Sequence, residues 1–273
     1  MDYIYIYTVI LGVIVGSFIT ALVSRYGVRS MLFGRSTCGA CGAKLGVLDL
    51  IPVLSYMAMR GRCRHCKSRI SIMYIFAEIF TAFVFVLTLK HVLPLGLPQG
   101  EALTLFTLYG LAFTCLIALS LYDFIHFIIP DGLVSGFIIF GYIARLYELD
   151  ITGQGIALFD VYSGFLIAVP FLLIWIFSSG RWLGFGDVKL SLGIGGMLGI
   201  VSGISAVVLG VWIGAILSLL FLVFARGGFP FGIRKKHLTI KSEVPFGPFL
   251  ALGVLLAFSL FPDIMGLSVY LQS

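Results

Sequence analysis

Two aspartates, 64 residues apart, carry the chemistry that this sequence is best equipped to perform. Asp123 closes an apolar run in YDFIHFIIPD, and Asp187 opens another in GFGDVKL. A carboxylate at mid-bilayer costs about 2.5–3.5 kcal/mol on insertion scales, so each must have a reason to be there. Both are expected at the cytoplasmic end of the membrane, at one depth, where the fold can bring them together. Two carboxylates converging in a poorly hydrated site cannot both ionise easily. One then keeps a proton and the other acts as a base, which suits activation of water against a peptide carbonyl. Gly184 and Gly186 lack Cβ atoms and would let the backbone of an extended peptide approach, with Lys189 helping to orient the site. The same two acids would also serve a proton-coupled transporter.

Four of the five cysteines form a second constellation: CGAC (Cys38, Cys41) and CRHC (Cys63, Cys66), with 21 residues between the knuckles. This is the spacing of a tetrathiolate zinc site, and four cysteines leave no open coordination position, so the expected role is structural. Arg60, Arg62, Arg64 and Lys67 would offset the negative charge of four thiolates on one divalent ion. Two disulfides or four free thiols are the alternatives. A reducing cytoplasm disfavours the first, and the regular spacing disfavours the second. His65, inside the second knuckle, could replace a cysteine as ligand. Cys115, alone in an apolar span, is read as a packing residue.

The other acids within or beside apolar runs have plainer readings. Asp131 follows Pro130 and is expected to cap the next helix. Asp160 stands near the start of its span, where it complements the helix dipole. Glu78, one turn after Tyr74, is expected to be a satisfied polar residue inside a helix bundle. His126 lies three residues after Asp123, on the same face if the helix continues, and packing is its expected role.

The elements that position these residues follow from composition. The chain is 60% hydrophobic and only 11% charged, with a mean hydropathy of +1.12; soluble domains carry about a quarter charged residues. It is therefore expected to be an all-α polytopic membrane protein that lies in the lipid bilayer. Eight spans fit: 3–24, 70–92, 101–122, 131–147, 157–178, 188–202, 203–224 and 245–268. The first is read as a retained helix rather than a signal peptide, since no basic residues precede it and no small-residue cleavage site follows. Of 18 Lys and Arg, nine fall between Arg25 and Arg69, and most of the rest at 181–189 and 226–241. Basic loops stay cytoplasmic, which places both termini outside. Orientation thus accounts for the +6 charge with no nucleic-acid partner. Three domains are expected: the first helix (1–24), a cytoplasmic tetracysteine domain (25–69) too short to be stable without a staple, and a membrane-embedded bundle (70–273).

Together these residues resemble the type IV prepilin leader peptidase family, a group of membrane aspartyl peptidases sharing a GxGD motif. Five blocks occur in order across most of the chain. They are GSF (Gly16, Ser17, Phe18) with Arg25; RSTCGAC with LDLIPVLSYMAMRGRCRHCKSRIS; YDFIHFIIPD; GFGDVKL; and VPFGPFLALG, with Pro245, Phe246, Gly247 and Pro248. The resemblance implies that Asp123, rather than Asp131, and Asp187 are the catalytic pair. It implies an inner-membrane enzyme that cuts the basic leader from prepilin or pseudopilin precursors at the cytoplasmic face, typically after a glycine. Many members then methylate the new N-terminal amine with S-adenosylmethionine. The chain departs from the family pattern at Thr20, where Asn is frequent, and at Met73 before Tyr74, where Arg is frequent, although Glu78 is kept. Both departures flank the cysteine domain usually linked to methylation. A catalytically idle scaffold that docks an assembly through its zinc domain is a third reading, opposed by the intact GFGD.

Overall fold

The computed structural model describes residues 2–26, 37–38, 40–226, 245–260, 263–264 and 266. Long apolar runs can satisfy their backbone hydrogen bonds in lipid only within helices or a closed barrel, and the described residues contain no β-strand. The helices are α1 (Asp2–Arg25), α2 (Leu54–Ala58), α3 (Met73–Val92), α4 (Gln99–His126), α5 (Asp131–Ile151), α6 (Leu158–Ser178), α7 (Phe185–Arg226) and α8 (Gly247–Ser259). Six of them, α1 and α3 to α7, are long and apolar enough to cross a membrane. The chain is an all-helical, multi-pass membrane protein. Residues 27–36 of the expected cysteine domain, residues 227–244 of the expected basic loop and most of the end of the last expected span lie outside the described residues.

The chain divides into two compact units, Met1–Ala118 and Leu119–Ser273. In the first unit, α1 presses against α3 through Gly12 and Gly16. A Cβ on Gly16 would lie 2.6 Å from the Cα of Glu78, and one on Gly12 would strike the backbone of Ala82. Without water inside a bilayer to drive association, close backbone approach through small residues four apart is what holds such helices together. Buried hydroxyls on α3 bond back to their own helix: Thr81 to the carbonyl of Ala77 and Thr88 to that of Val84. Glu78 is buried and accepts the Val53 N–H at 2.7 Å, so it is the satisfied polar residue expected.

In the second unit, α7 runs for 42 residues, which as one straight rod would measure about 63 Å, twice the thickness of a bilayer core. It is not straight. Gly199 has φ 76° and ψ −176°, and a Cβ on Gly203 would lie 3.4 Å from the Cα of Gly195. Residues eight apart in a continuous helix stand about 12 Å apart, so the chain doubles back at Gly199 into a tight hairpin. The two spans expected at 188–202 and 203–224 are the two arms of this hairpin, and the turn comes a few residues earlier than the sequence suggested. Asp160 accepts the Ala157 N–H at 3.2 Å, closing the first turn of α6, and lies 3.7 Å from Arg145. Its expected place at the positive end of a helix is the one it has.

Candidate active site and metal centre

Asp187 is the third residue of α7. The chain enters this helix through a sharp reversal after α6, where Ser179 (φ 52°) and Gly180 (φ 74°) both adopt left-handed conformations. Trp175, in the last turn of α6, packs its ring 5.0 Å from that of Phe185. The Asp187 N–H donates to the carbonyl of Gly184 at 3.1 Å, and its Oδ2 lies back over the first turn, 3.5 Å from where a Cβ on Gly184 would stand. This is the end of the helix where the first N–H groups have no partner within it and a negative charge is favoured.

Asp123 stands near the end of α4 and is buried. Its Oδ2 accepts the N–H of Gly247, the first residue of α8, at 3.0 Å. The first N–H groups of a helix have no partner within it and together make an anion site. Both carboxylates therefore end at helix N-termini, Asp187 at that of α7 and Asp123 at that of α8. They also lie within electrostatic reach of each other.

The loop from α4 to α5 secures this arrangement. Phe127, at φ 57°, ends α4 with its N–H on the carbonyl of Asp123. Ile129 then lies against Gly186 so closely that a Cβ there would be 2.8 Å from the Cβ of Ile129. Gly186 thus admits a neighbouring side chain of the protein itself. Asp131 was expected to cap α5. It is instead the first helical residue, after Pro130, and its carboxylate accepts Lys189 Nζ at 2.6 Å. Lys189 also sits 5.1 Å from the centre of the Phe185 ring. His126 is exposed and stacks on Tyr122 at 4.2 Å, away from the carboxylate pair's hydrogen bonds.

The cysteines of the first unit form two knuckles of one design. In the first, the Cys38 N–H bonds the carbonyl of Ala43 and the Gly42 N–H bonds that of Cys38; in the second, Cys63 pairs with Ser68 and Lys67 with Cys63 in the same way. Each tight turn needs a left-handed residue, Gly42 (φ 69°) in one and Lys67 (φ 58°) in the other. The four Sγ atoms lie within 4.8 Å of one another, with Cys38 and Cys66 3.9 Å apart. Four thiolates about a zinc ion stand roughly 3.8 Å apart, so the donor set fits a tetrahedral metal. No disulfide joins them. The backbone N–H groups of Cys41 and Ala40, with the thiol of Cys63, draw the Cys38 thiol down to about 6. Against the pull of the Ala43 backbone, the neighbouring Cys66 and Cys38 hold Cys41 up at about 11. A divalent cation removes that conflict by favouring all four thiolates. His65 lies outside the group of potential ligands.

Residues 10–92 match the family model described as the Bacterial Peptidase A24 N-terminal domain, and residues 110–219 match the Type IV leader peptidase family. The chain is 32% identical to the prepilin leader peptidase/N-methyltransferase of Bacillus subtilis (strain 168), over 91% of each chain. It is 30% identical to the Escherichia coli O78:H11 (strain H10407 / ETEC) type 4 prepilin-like proteins leader peptide-processing enzyme, covering 89% of this chain and 88% of that one. Against the Burkholderia pseudomallei (strain K96243) prepilin leader peptidase/N-methyltransferase the identity is 28%, with coverage of 90% and 82%. The chain belongs to the type IV leader peptidase family. No solved structure matches it.

As a leader peptidase of the GxGD type, the chain is an enzyme, and the transporter and idle-scaffold readings fall. For this leader peptidase, sequence reasoning singled out Asp123, Asp187, Gly184, Gly186 and Lys189, and the fold gathers all five around the first turn of α7 or its carboxylate partner. It missed Gly247. The signal was the GP pair opening the last apolar run, since Pro at the second helical position marks a helix start whose preceding N–H is unpaired.

Proposed function

We propose that this chain is a membrane aspartyl endopeptidase that removes the basic leader from type IV prepilin or pseudopilin precursors, with Asp123 and Asp187 as its catalytic pair. The observation that carries the reading is that the two carboxylates lie within electrostatic reach of each other, Asp123 held by the first N–H of α8 and Asp187 set in the first turn of α7. Two acids so placed hold one proton between them. The ionised one takes a proton from a water as it attacks the scissile carbonyl, while the other protonates the carbonyl oxygen. Return of a proton to the leaving amine then breaks the C–N bond, and the roles exchange. Gly184 leaves the approach to Asp187 free of a side chain, Gly186 makes room for Ile129, and Lys189 orients the site through Asp131 rather than by reaching outward.

The basic clusters at 25–69 and 181–189 support an orientation with this end of the membrane in the cytoplasm. A precursor whose apolar helix lies in a bacterial inner membrane would then present its leader junction at the depth of the two acids. Cys38, Cys41, Cys63 and Cys66 would hold structural zinc, stapling the short 25–69 segment, whereas 70–273 supplies the peptidase bundle. The names of the relatives support a second step, in which the amine freed by cleavage is methylated. S-adenosylmethionine, when bound, supplies an electrophilic methyl group.

The test is incubation of the purified protein with a synthetic precursor that carries a basic leader and a Gly-Phe junction, followed by mass spectrometry. Cleavage after the glycine, with one added methyl when S-adenosylmethionine is present, is expected. An intact precursor would overturn the peptidase reading, and a cleaved product that never gains a methyl would remove the second step alone.

A further inference from the structure

The segment that joins α1 to α3 carries more than its cysteines. Leu48, Leu54 and Met57 are each 65% exposed, and Leu50 and Ile51 are exposed beside them in sequence. Large apolar side chains gathered on one surface mark a place that something else covers. We infer that this surface docks on the bilayer: the 3₁₀ turn at Val47–Leu50 and α2 enter the leaflet, and the cations that follow lie against anionic lipid phosphates.

One hydrogen bond sets the depth of α2. Val53, the residue before this helix, donates its N–H to Oε2 of Glu78 at 2.7 Å. Glu78 comes five residues after Met73, the start of α3, or about 7.5 Å along the axis. Helix side chains lean toward the N-terminus, so Val53 stands beside the first turns of α3. The packing of α1 gives the same level from its other side, since a Cβ on Gly16 would lie 2.6 Å from the Cα of Glu78. From Gly16, α1 runs nine residues further, about 13 Å, before Arg25, the first Lys or Arg of the chain. The start of α2 is therefore well below the level at which cations enter the sequence. Leu54 and Met57, three apart on one helix face, are exposed there, as are Phe76 and Ile79 in the first turns of α3.

The charges sit higher. The Ile70 N–H donates to the carbonyl of Gly61 at 2.8 Å, three residues ahead of α3, and Arg62 pairs with Arg69 across an antiparallel bridge. Arg60, Arg62, Arg64 and Lys67 border a single cavity of about 590 Å³. Between residues 37 and 72, six Lys and Arg stand against one acid, Asp49, which Arg64 already meets at 3.0 Å. The two negative charges that four thiolates would leave on a divalent ion do not cancel this excess.

An apolar face below and a cationic rim above are the two attractions that hold an interfacial segment on an anionic leaflet. A protein partner would have to reach Leu54 and Met57 alongside the membrane-crossing helices, where lipid already stands. Residues 48–57 are then set into the membrane rather than standing in the cytoplasm with the rest of the 25–69 segment, and the second knuckle is held at the level of the lipid phosphates.

The experiment is photolabelling of the full-length, zinc-loaded protein in nanodiscs whose lipids carry a diazirine on the acyl chain, with hydroxyl-radical oxidation from water run in parallel. Trypsin releases residues 45–60 as one peptide, because no Lys or Arg lies between Lys44 and Arg60. In nanodiscs of phosphatidylglycerol and phosphatidylcholine, its lipid labelling per residue should come within about threefold of that of residues 70–90, which include Phe76 and Ile79. In phosphatidylcholine alone the labelling should fall about threefold or more. Arg60→Gln combined with Arg62→Gln, read from the longer peptide 45–64, should remove that difference between lipids at unchanged zinc content. Where the variant loses zinc, the wild-type comparison of the two lipids decides by itself. A peptide oxidised from water but untouched by lipid would overturn the inference. So would one shielded from both reagents, since a second copy or another protein would then cover it. Equal labelling in the two lipids would overturn the pairing with anionic phosphates.

Discussion

The N–H of Gly247 donates to Oδ2 of Asp123 across 3.0 Å, tying the first turn of α8 to a carboxylate 124 residues earlier in the chain. A Cβ on Gly247 would lie 2.7 Å from that same oxygen. The position thus requires glycine for close approach, and its backbone, rather than any side chain, holds the acid in place.

Gly247→Ala should therefore displace Asp123 without removing it. Steady-state cleavage of a synthetic precursor should show kcat down by about 10- to 100-fold, equivalent to about 1.4–2.7 kcal/mol of transition-state stabilisation, with KM little changed. Wild-type kcat in this variant would mean that the Gly247 contact is incidental.

Asp131 and Lys189 bridge the starts of α5 and α7, with the Asp131 side chain 79% exposed. An exposed pair contributes about 0.2–1 kcal/mol, so neither Asp131→Asn nor Lys189→Met should move the unfolding midpoint by more than a few degrees. Both should lower kcat by the same few-fold factor, and the double variant should be no worse than either. A rise in KM confined to Lys189→Met would show instead that the lysine contacts substrate directly.

Protons and metal compete for the four thiolates, so metal should be retained at neutral pH and released as pH falls. Metal per chain, measured by elemental analysis from pH 8 down to pH 4, should start at one zinc and decline to none. Cys63→Ser should lose it even at pH 8, since Cys63 is the one buried thiol of the four. Absence of zinc from protein purified without chelator would contradict the metal centre.

Lys67 holds the second knuckle at φ 58°, where Gly42 serves in the first. A left-handed conformation costs a non-glycine residue about 1–2 kcal/mol, partly offset by the greater unfolded-state freedom of glycine. Lys67→Gly should accordingly stabilise the knuckle by about 0.5–1 kcal/mol, read as slower loss of zinc to a chelator. Faster loss would show that the lysine's charge matters more than its backbone.

How far the fold could be read in advance depended on whether the cause was local. CxxC spacing sets the knuckle geometry within a few residues, so the four-cysteine cluster was legible. Asp123 and Asp187 were legible because acids in apolar runs are costly. The turn at Gly199 was not, since it lies among Gly193, Gly195, Gly196 and Gly203, none of which marks a reversal by itself. What fixes it is long-range: Gly195 packs against Ser163 and Gly164 of α6 while Gly203 packs against Gly195. Asp131 was misplaced for the same reason. Its neighbours suggested a cap, but its partner, Lys189, lies 58 residues further on. Gly247 has no side chain to suggest chemistry, and only the meeting of α8 with α4 gives its N–H a task.

The most direct measurement is cleavage of a prepilin-type precursor by purified protein carrying Asp123→Asn or Asp187→Asn. Each change leaves size and hydrogen bonding nearly intact while removing the group that accepts or donates the proton. Either variant should cleave at least about a thousandfold more slowly than wild type, at unchanged zinc content. Processing at the wild-type rate by either one would show that the reaction does not run through the two acids.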